Sequence, residues 1–141
     1  MKKLLLILLP LLFLACSREI EEAPLYQKYA ERQDLTVAQV SGFHLNDTVK
    51  VDVVILVADD TATWNRLKEE FDIRADAGIT SWMGNTDHPQ QRVTRSERPA
   101  WRVMAVHDDH TIAFYRIEDD IQYEALLDYQ MDNLDKNNKD K

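Results

Sequence analysis

Val49-Lys50-Val51-Asp52-Val53-Val54-Ile55-Leu56-Val57 is the stretch on which the fold turns. Val49, Val51, Val53, Ile55 and Val57 share one face at a period of two, with Lys50 and Asp52 opposite, which is the alternation of a half-buried β-strand. From Val54 onward the second face is apolar too, so this end belongs inside a sheet rather than at its edge. Upstream, Leu35 and Val37 have one parity, Val40 has the other, and Phe43 and Leu45 return to the first. A β-bulge near Ser41-Gly42 reconciles the two halves, and glycine is the residue expected there. Asn46-Asp47-Thr48 joins the strands with hairpin-turn chemistry.

Downstream, Asp59-Asp60-Thr61 offers side-chain oxygens and negative charge to a helix start, and Trp64, Leu67 and Phe71 then form one stripe opposite Arg66, Glu69 and Glu70. A second hairpin is predicted from Trp101 to Val106 and Thr111 to Ile117, turning at Asp108-Asp109. Asp119-Asp120 opens a last helix carrying Tyr123, Leu127, Met131 and Leu134, widened by Leu126. Pro24 starts a short N-terminal helix with Leu25, Tyr26, Tyr29 and Ala30 at helical spacing, up to Gln33. From Ala75 to Pro99 periodicity fails, and Gly78, Gly84, Pro89 and Pro99 mark a long irregular segment, functional or mobile. An offset of 60 aligns Asp59, Asp60, Leu67 and Asp72 with Asp119, Asp120, Leu127 and Asp132, which fits either a ββα duplication or shared helix-start chemistry alone. The expected architecture is α+β: an antiparallel four-stranded sheet from two hairpins with two main helices packed on one face, plus the short N-terminal helix. Trp64, Phe71, Leu127 and Met131, buried against that sheet, are worth about 1.5–3 kcal/mol each before conformational entropy.

The chain's 141 residues leave room for one core, and 17 Lys+Arg against 25 Asp+Glu give a charge of −8. An acidic balance argues against general nucleic-acid binding, and three glycines nearly exclude phosphate-cradling backbone loops.

Met1-Lys2-Lys3 is a cationic start and Leu4 to Leu14 is apolar except for Pro10, too short to span a hydrocarbon core of about 30 Å. The run ends Phe13-Leu14-Ala15-Cys16, and Cys16 is the single cysteine. Here the chain resembles the bacterial lipoproteins, whose signal peptide ends in a lipobox. Ala15 and Cys16 match the lipobox, while Phe13 and Leu14 depart from its usual Leu followed by Ala, Ser or Thr. The resemblance implies cleavage before Cys16 and its acylation with diacylglycerol and palmitate-type chains, a stable membrane anchor. No thiol would then be left for a disulfide, a nucleophile or a metal. An ordinary signal peptide followed by a free thiol is the alternative. Ser17 in place of the Asp that retains many such proteins at the inner membrane implies the cell outer membrane. The stretch Ser17 to Glu22 resembles the surface-export tags of Bacteroidota lipoproteins, or is a solvated tether. The mature part resembles small Bacteroidota lipoproteins of unknown function only in outline, without a specific motif. Domain organisation follows: 1–15 signal peptide, 16–23 lipidated cysteine and tether, 24–135 a single α+β domain, 136–141 a disordered polar tail. Cleavage removes Lys2 and Lys3 and leaves 15 basic against 25 acidic residues, a charge of −10.

His107-Asp108-Asp109-His110 is the densest metal-capable set, yet it lacks a recognised ligand spacing, and a further ligand such as His44 or His88 would have to come from elsewhere. Ser41-Gly42 lacks the strand-to-helix elbow of a serine hydrolase, and the Asp59-Asp60 and Asp119-Asp120 pairs are explained by helix capping. No catalytic, cofactor or metal assignment is made. Arg92, Arg95, Arg98 and Arg102 form the dense basic run in an acidic chain, near Trp82 and Met83, and these residue types are enriched at interface cores. Two readings stand: a recognition loop for an anionic protein or envelope polymer, or Trp82 and Met83 folded beneath the loop with the arginines pairing to surplus carboxylates. The leading expectation is a membrane-anchored envelope lipoprotein acting as a non-enzymatic binding or structural module. A small envelope hydrolase using the His107/His110 region and an inhibitor or immunity-like lipoprotein are the alternatives.

Overall fold

The computed structural model describes residues 24–139. The expected signal peptide, Cys16 and the expected tether lie outside the described residues. Helix α1 (Pro24–Ala30) leads into the hairpin of β1 (Leu35–His44) and β2 (Lys50–Ala58), then α2 (Thr61–Glu70). Strands β3 (Ile79–Gly84), β4 (Ala100–Val106) and β5 (Thr111–Ile117) follow, with a 3-10 turn at His107–Asp109, and α3 (Asp120–Lys139) closes the described chain. The strands form one antiparallel sheet in the order β1-β2-β5-β4-β3. This is the α+β class expected, with an open sheet.

The local signals read from the sequence act as physical chemistry requires. The β1–β2 register slips between Val40 and Phe43, and Gly42 sits there at φ +68°, a conformation that a Cβ would strain. Asn46 Oδ1 accepts from the N–H groups of Thr48 and Val49, closing the hairpin. Asp60 is the N-cap of α2, accepting from Thr63 N–H at 2.8 Å, and Asp119 accepts from Gln122 N–H at 2.8 Å at the start of α3.

Three features differ from expectation. The sheet has five strands, because β3 forms inside the segment expected to be irregular. It is an edge strand whose first half is exposed and only Trp82, Met83 and Gly84 are buried, so its own alternation is faint, and pairing with β4 from Ile79↔Val106 to Gly84↔Trp101 supplies its order. Second, the layers. On one face α1 and α2 pack Leu25, Tyr29, Trp64, Leu67 and Phe71 against Val54, Leu56, Val103, Ile112 and Phe114. On the reverse face α3 packs Tyr123 and Leu126 among Ala38, Val40, Val53, Ile55 and Ala113. The one-face arrangement therefore holds for α1 and α2, while α3 takes the other side. A sheet apolar on both faces needs cover on both. Third, Met131 is 64% exposed: Tyr123 and Leu126 face the sheet and Leu127 lies half-buried, so the helix has turned Met131 away from the sheet. Helix α3 also continues through Lys139, into the polar stretch expected to be disordered.

The strands keep the 60-residue correspondence: Val54 pairs with Phe114, while Ile55↔Ala113 and Val53↔Tyr115 flank it as a two-fold through the sheet would require. The helices do not, since that operation would leave α2 and α3 on one face. Among the described residues no helix is long and apolar enough to cross a membrane.

Candidate functional site

Beyond β3 the chain turns back over its own end. Asn85 N–H donates to Gln91 O, Val93 N–H to Met83 O, and Gly84 bridges to Arg92. Two indoles fasten this loop, Trp82 Nε1–H to Pro89 O at 2.9 Å and Trp101 Nε1–H to Thr86 O at 3.0 Å. Trp82 and Met83 are both buried, and as neighbours on a strand they point to opposite faces of the sheet. They are core, and the apolar half of the expected recognition surface is gone from the outside.

The four arginines divide in the same way. Arg92 joins the α2 face: its guanidinium stacks 3.9 Å over the Trp82 ring and donates to the carbonyls of Phe71 and Asp72. It ties the loop to the end of α2. Arg95, Arg98 and Arg102 converge instead on the α3 face, around Tyr123. The guanidinium carbons of Arg95 and Arg98 lie 5.4 and 5.0 Å from the Tyr123 ring centroid. Arg102 stands beside Tyr115 and Met83 in register, and its Nη2 donates to Ser81 Oγ at 2.9 Å.

These three cations share little neutralising charge. Arg98 Nη2 contacts Asp120 Oδ1 at 3.3 Å, and the Asp120 side chain is 90% exposed. Arg98 Nη1 donates to the backbone carbonyls of Arg95 and Glu97. Neither Arg95 nor Arg102 pairs with a carboxylate among the described residues, and the Nε–H groups of Arg98 and Arg102 are buried without a partner. Burial lowers the Arg102 pKa, Tyr123 opposes that shift, and the like charge of Arg95 adds to it. Apart from the one exposed counter-ion on Arg98, the guanidiniums are held in place by the Tyr123 ring, backbone carbonyls and the Ser81 hydroxyl. Sequence reasoning named the arginines but missed Tyr123 and Ser81. The available signal was that Tyr123 opens the α3 stripe, with a ring apolar enough to pack and polar enough to sit at a charged rim.

His107 and His110 do something different. His107 is buried, its Nε2 lies 3.0 Å from Thr80 Oγ1, and its ring meets Trp64 edge-on at 5.5 Å. His110, in the left-handed region at φ +48°, stacks on the same indole at 5.5 Å. The pair brackets Trp64. His44 contacts the Asn46 carbonyl at the β1–β2 turn, and His88 lies in the loop after β3. Among the described residues no three His, Cys, Asp or Glu side chains converge as a metal site would need. A polar niche of about 90 Å³ beside the bulge, between Lys50, Asp52, Arg116 and Gln122, is well below the size of a small-molecule pocket.

No family model matches the chain, and neither a curated protein nor a solved structure matches it.

Proposed function

We propose that this chain is a membrane-anchored envelope lipoprotein, held at the outer membrane through Cys16, whose folded head is a non-enzymatic binding module. The head meets an anionic partner through Arg95, Arg98 and Arg102. The observation that carries the binding half is the guanidinium cluster itself: three cations gathered around Tyr123 with one exposed carboxylate, on a chain whose overall charge is −8. Fixed, under-neutralised guanidiniums are costly to maintain and are suited to planar or tetrahedral oxyanions. The anchoring half rests on the apolar run ending in Ala15-Cys16. Seven residues separate Cys16 from Pro24, a reach of at most about 29 Å over the eight steps, so an anchored head would stay close to the lipid surface.

The test joins the two halves in cells. Metabolic labelling with an alkyne fatty acid followed by mass spectrometry of the mature N-terminus should find acylated Cys16, and Cys16→Ser should move the protein out of the membrane fraction. A photo-crosslinking residue placed at position 95 should capture a partner that one at position 108, in the β4–β5 turn at the opposite end of the sheet, does not. A bare Cys16 sulfur, an uncleaved leader, or equal capture from both positions overturns the reading.

A further inference from the structure

The ligand chemistry of the cluster follows from its charge and its surroundings. Three guanidiniums face one carboxylate, Asp120, which leaves about two positive charges unmatched. A single carboxylate would neutralise one of them. An extended polyanion would run on past the cluster over the surface of a chain whose overall charge is −8. A compact dianion avoids both mismatches, and a phosphomonoester carries about −1.5 to −2 charges at neutral pH with three acceptor oxygens. Backbone phosphate loops are not needed for this, because guanidinium forks bind phosphate directly through side chains.

We propose that Arg95, Arg98 and Arg102, arranged around Tyr123, form a binding site for one phosphomonoester group. The inference rests on the basic cluster being the binding surface proposed above, and it adds the class of ligand. Asp120 is the internal competitor: its carboxylate holds Arg98 in the empty site and gives way to the phosphate. Arg92, spent on Trp82 and three backbone carbonyls, takes no part. The phosphate can be carried by a lipid at the membrane to which the head is tethered, or by a soluble molecule. The two sources share this chemistry.

The test uses the full-length protein purified in detergent. Arginine Nε–H resonances are followed during titration with inorganic phosphate, with acetate as the monoanionic control at matched ionic strength. Phosphate should shift the Arg95, Arg98 and Arg102 signals saturably and raise the melting temperature, since a ligand that binds only the native state stabilises it. Arg95→Gln and Arg102→Gln should each weaken phosphate binding about tenfold or more, Arg92→Gln should leave it unchanged, and Asp120→Asn should tighten it severalfold by removing the competitor. Arg95 is exposed, so its variant tests the site without a folding defect: its melting temperature without phosphate should stay at the wild-type value or rise as like-charge repulsion is relieved. Vesicles of phosphatidylcholine with and without phosphatidic acid separate the sources. Selective binding to the phosphatidic acid vesicles, lost in Arg95→Gln, identifies a lipid phosphate, and saturable binding of phenyl phosphate without vesicle binding identifies a soluble one. No saturable response to phosphate or to either vesicle, equal affinity for acetate, or an equal loss in Arg92→Gln overturns the site. That failure is distinct from failure of the anchored-module reading, which is decided by the state of Cys16 and by the crosslinking contrast.

Discussion

Gly84 is the residue at which β3 and the loop behind it press together. A Cβ added there would run into the carbonyl oxygen of Pro89, which already accepts from the Trp82 indole. The obstacle is backbone, held from both sides, so it cannot yield as a flexible side chain would. Gly84→Ala should therefore cost about 1–3 kcal/mol in urea denaturation, the usual penalty of overpacking. His107 gives a second residue-scale expectation. Burial holds its pKa below the ordinary value, with Lys68 adding to the shift and Asp76 and Asp108 opposing it. The unfolded chain then takes up a proton near pH 6.5 that the native imidazole refuses. His107 thus contributes no slope above pH 6.5, and stability falls as pH drops from there toward the native pKa. The fall should be visible in wild-type stability curves as the pH is lowered below about 6.5 and reduced in His107→Gln.

The helices answer to different constraints. Helix α1 is short, and its place is secured by Tyr29 Oη donating to Glu70 Oε1 at 2.6 Å and by Arg32, which bridges Glu70 and Asp34. Tyr29→Phe should keep the packing but cost about 0.5–1.5 kcal/mol and raise hydrogen exchange in α1 ahead of the sheet. In α3 the decisive contrast is between Leu126, fully buried, and Met131, 64% exposed. Leu126→Ala should lose about 2–5 kcal/mol and Met131→Ala less than about 0.5 kcal/mol, reversing the stripe expected from sequence spacing. The spacing was right for a helix and silent about where its contact with the sheet ends.

At the scale of the whole molecule the sheet is the middle layer of three, and its central strands β2 and β5 couple the outer two. Val54 and Leu56 meet α1 and α2, whereas Val53 and Ile55 meet α3. All three tryptophans, Trp64, Trp82 and Trp101, lie on the α2 face, so their fluorescence reports that layer while far-UV circular dichroism reports every helix. The two unfolding curves should coincide, and Leu126→Ala should shift both by the same amount, because a defect on one face is felt through the shared strands. A fluorescence transition left in place while the dichroism moved would mean that α3 separates from an otherwise intact fold. The three-layer arrangement also explains how an acidic chain keeps a basic spot. The arginines sit where the β3–β4 loop meets the start of α3, and that meeting exists only because α3 lies on the reverse face.

The amino-acid sequence alone determined what depends on neighbours along the chain. The bulge at Gly42, the Asn46 turn, the Asp60 and Asp119 caps and the paired hairpins all rest on interactions spanning a few residues or one alternation. The same local logic led to Cys16 as the expected anchor. Tertiary structure decided what depends on long-range partners: β3, which lacks a pattern until β4 pairs with it; the side of the sheet that α3 covers; and the division of four arginines between two faces. The run from Val53 to Val57 is apolar on both faces, yet by itself it reads only as a strand inside the sheet, with the helices expected on one face. Which helix would cover the other face depended on the space that α1 and α2 had filled, and no window of sequence contains that information.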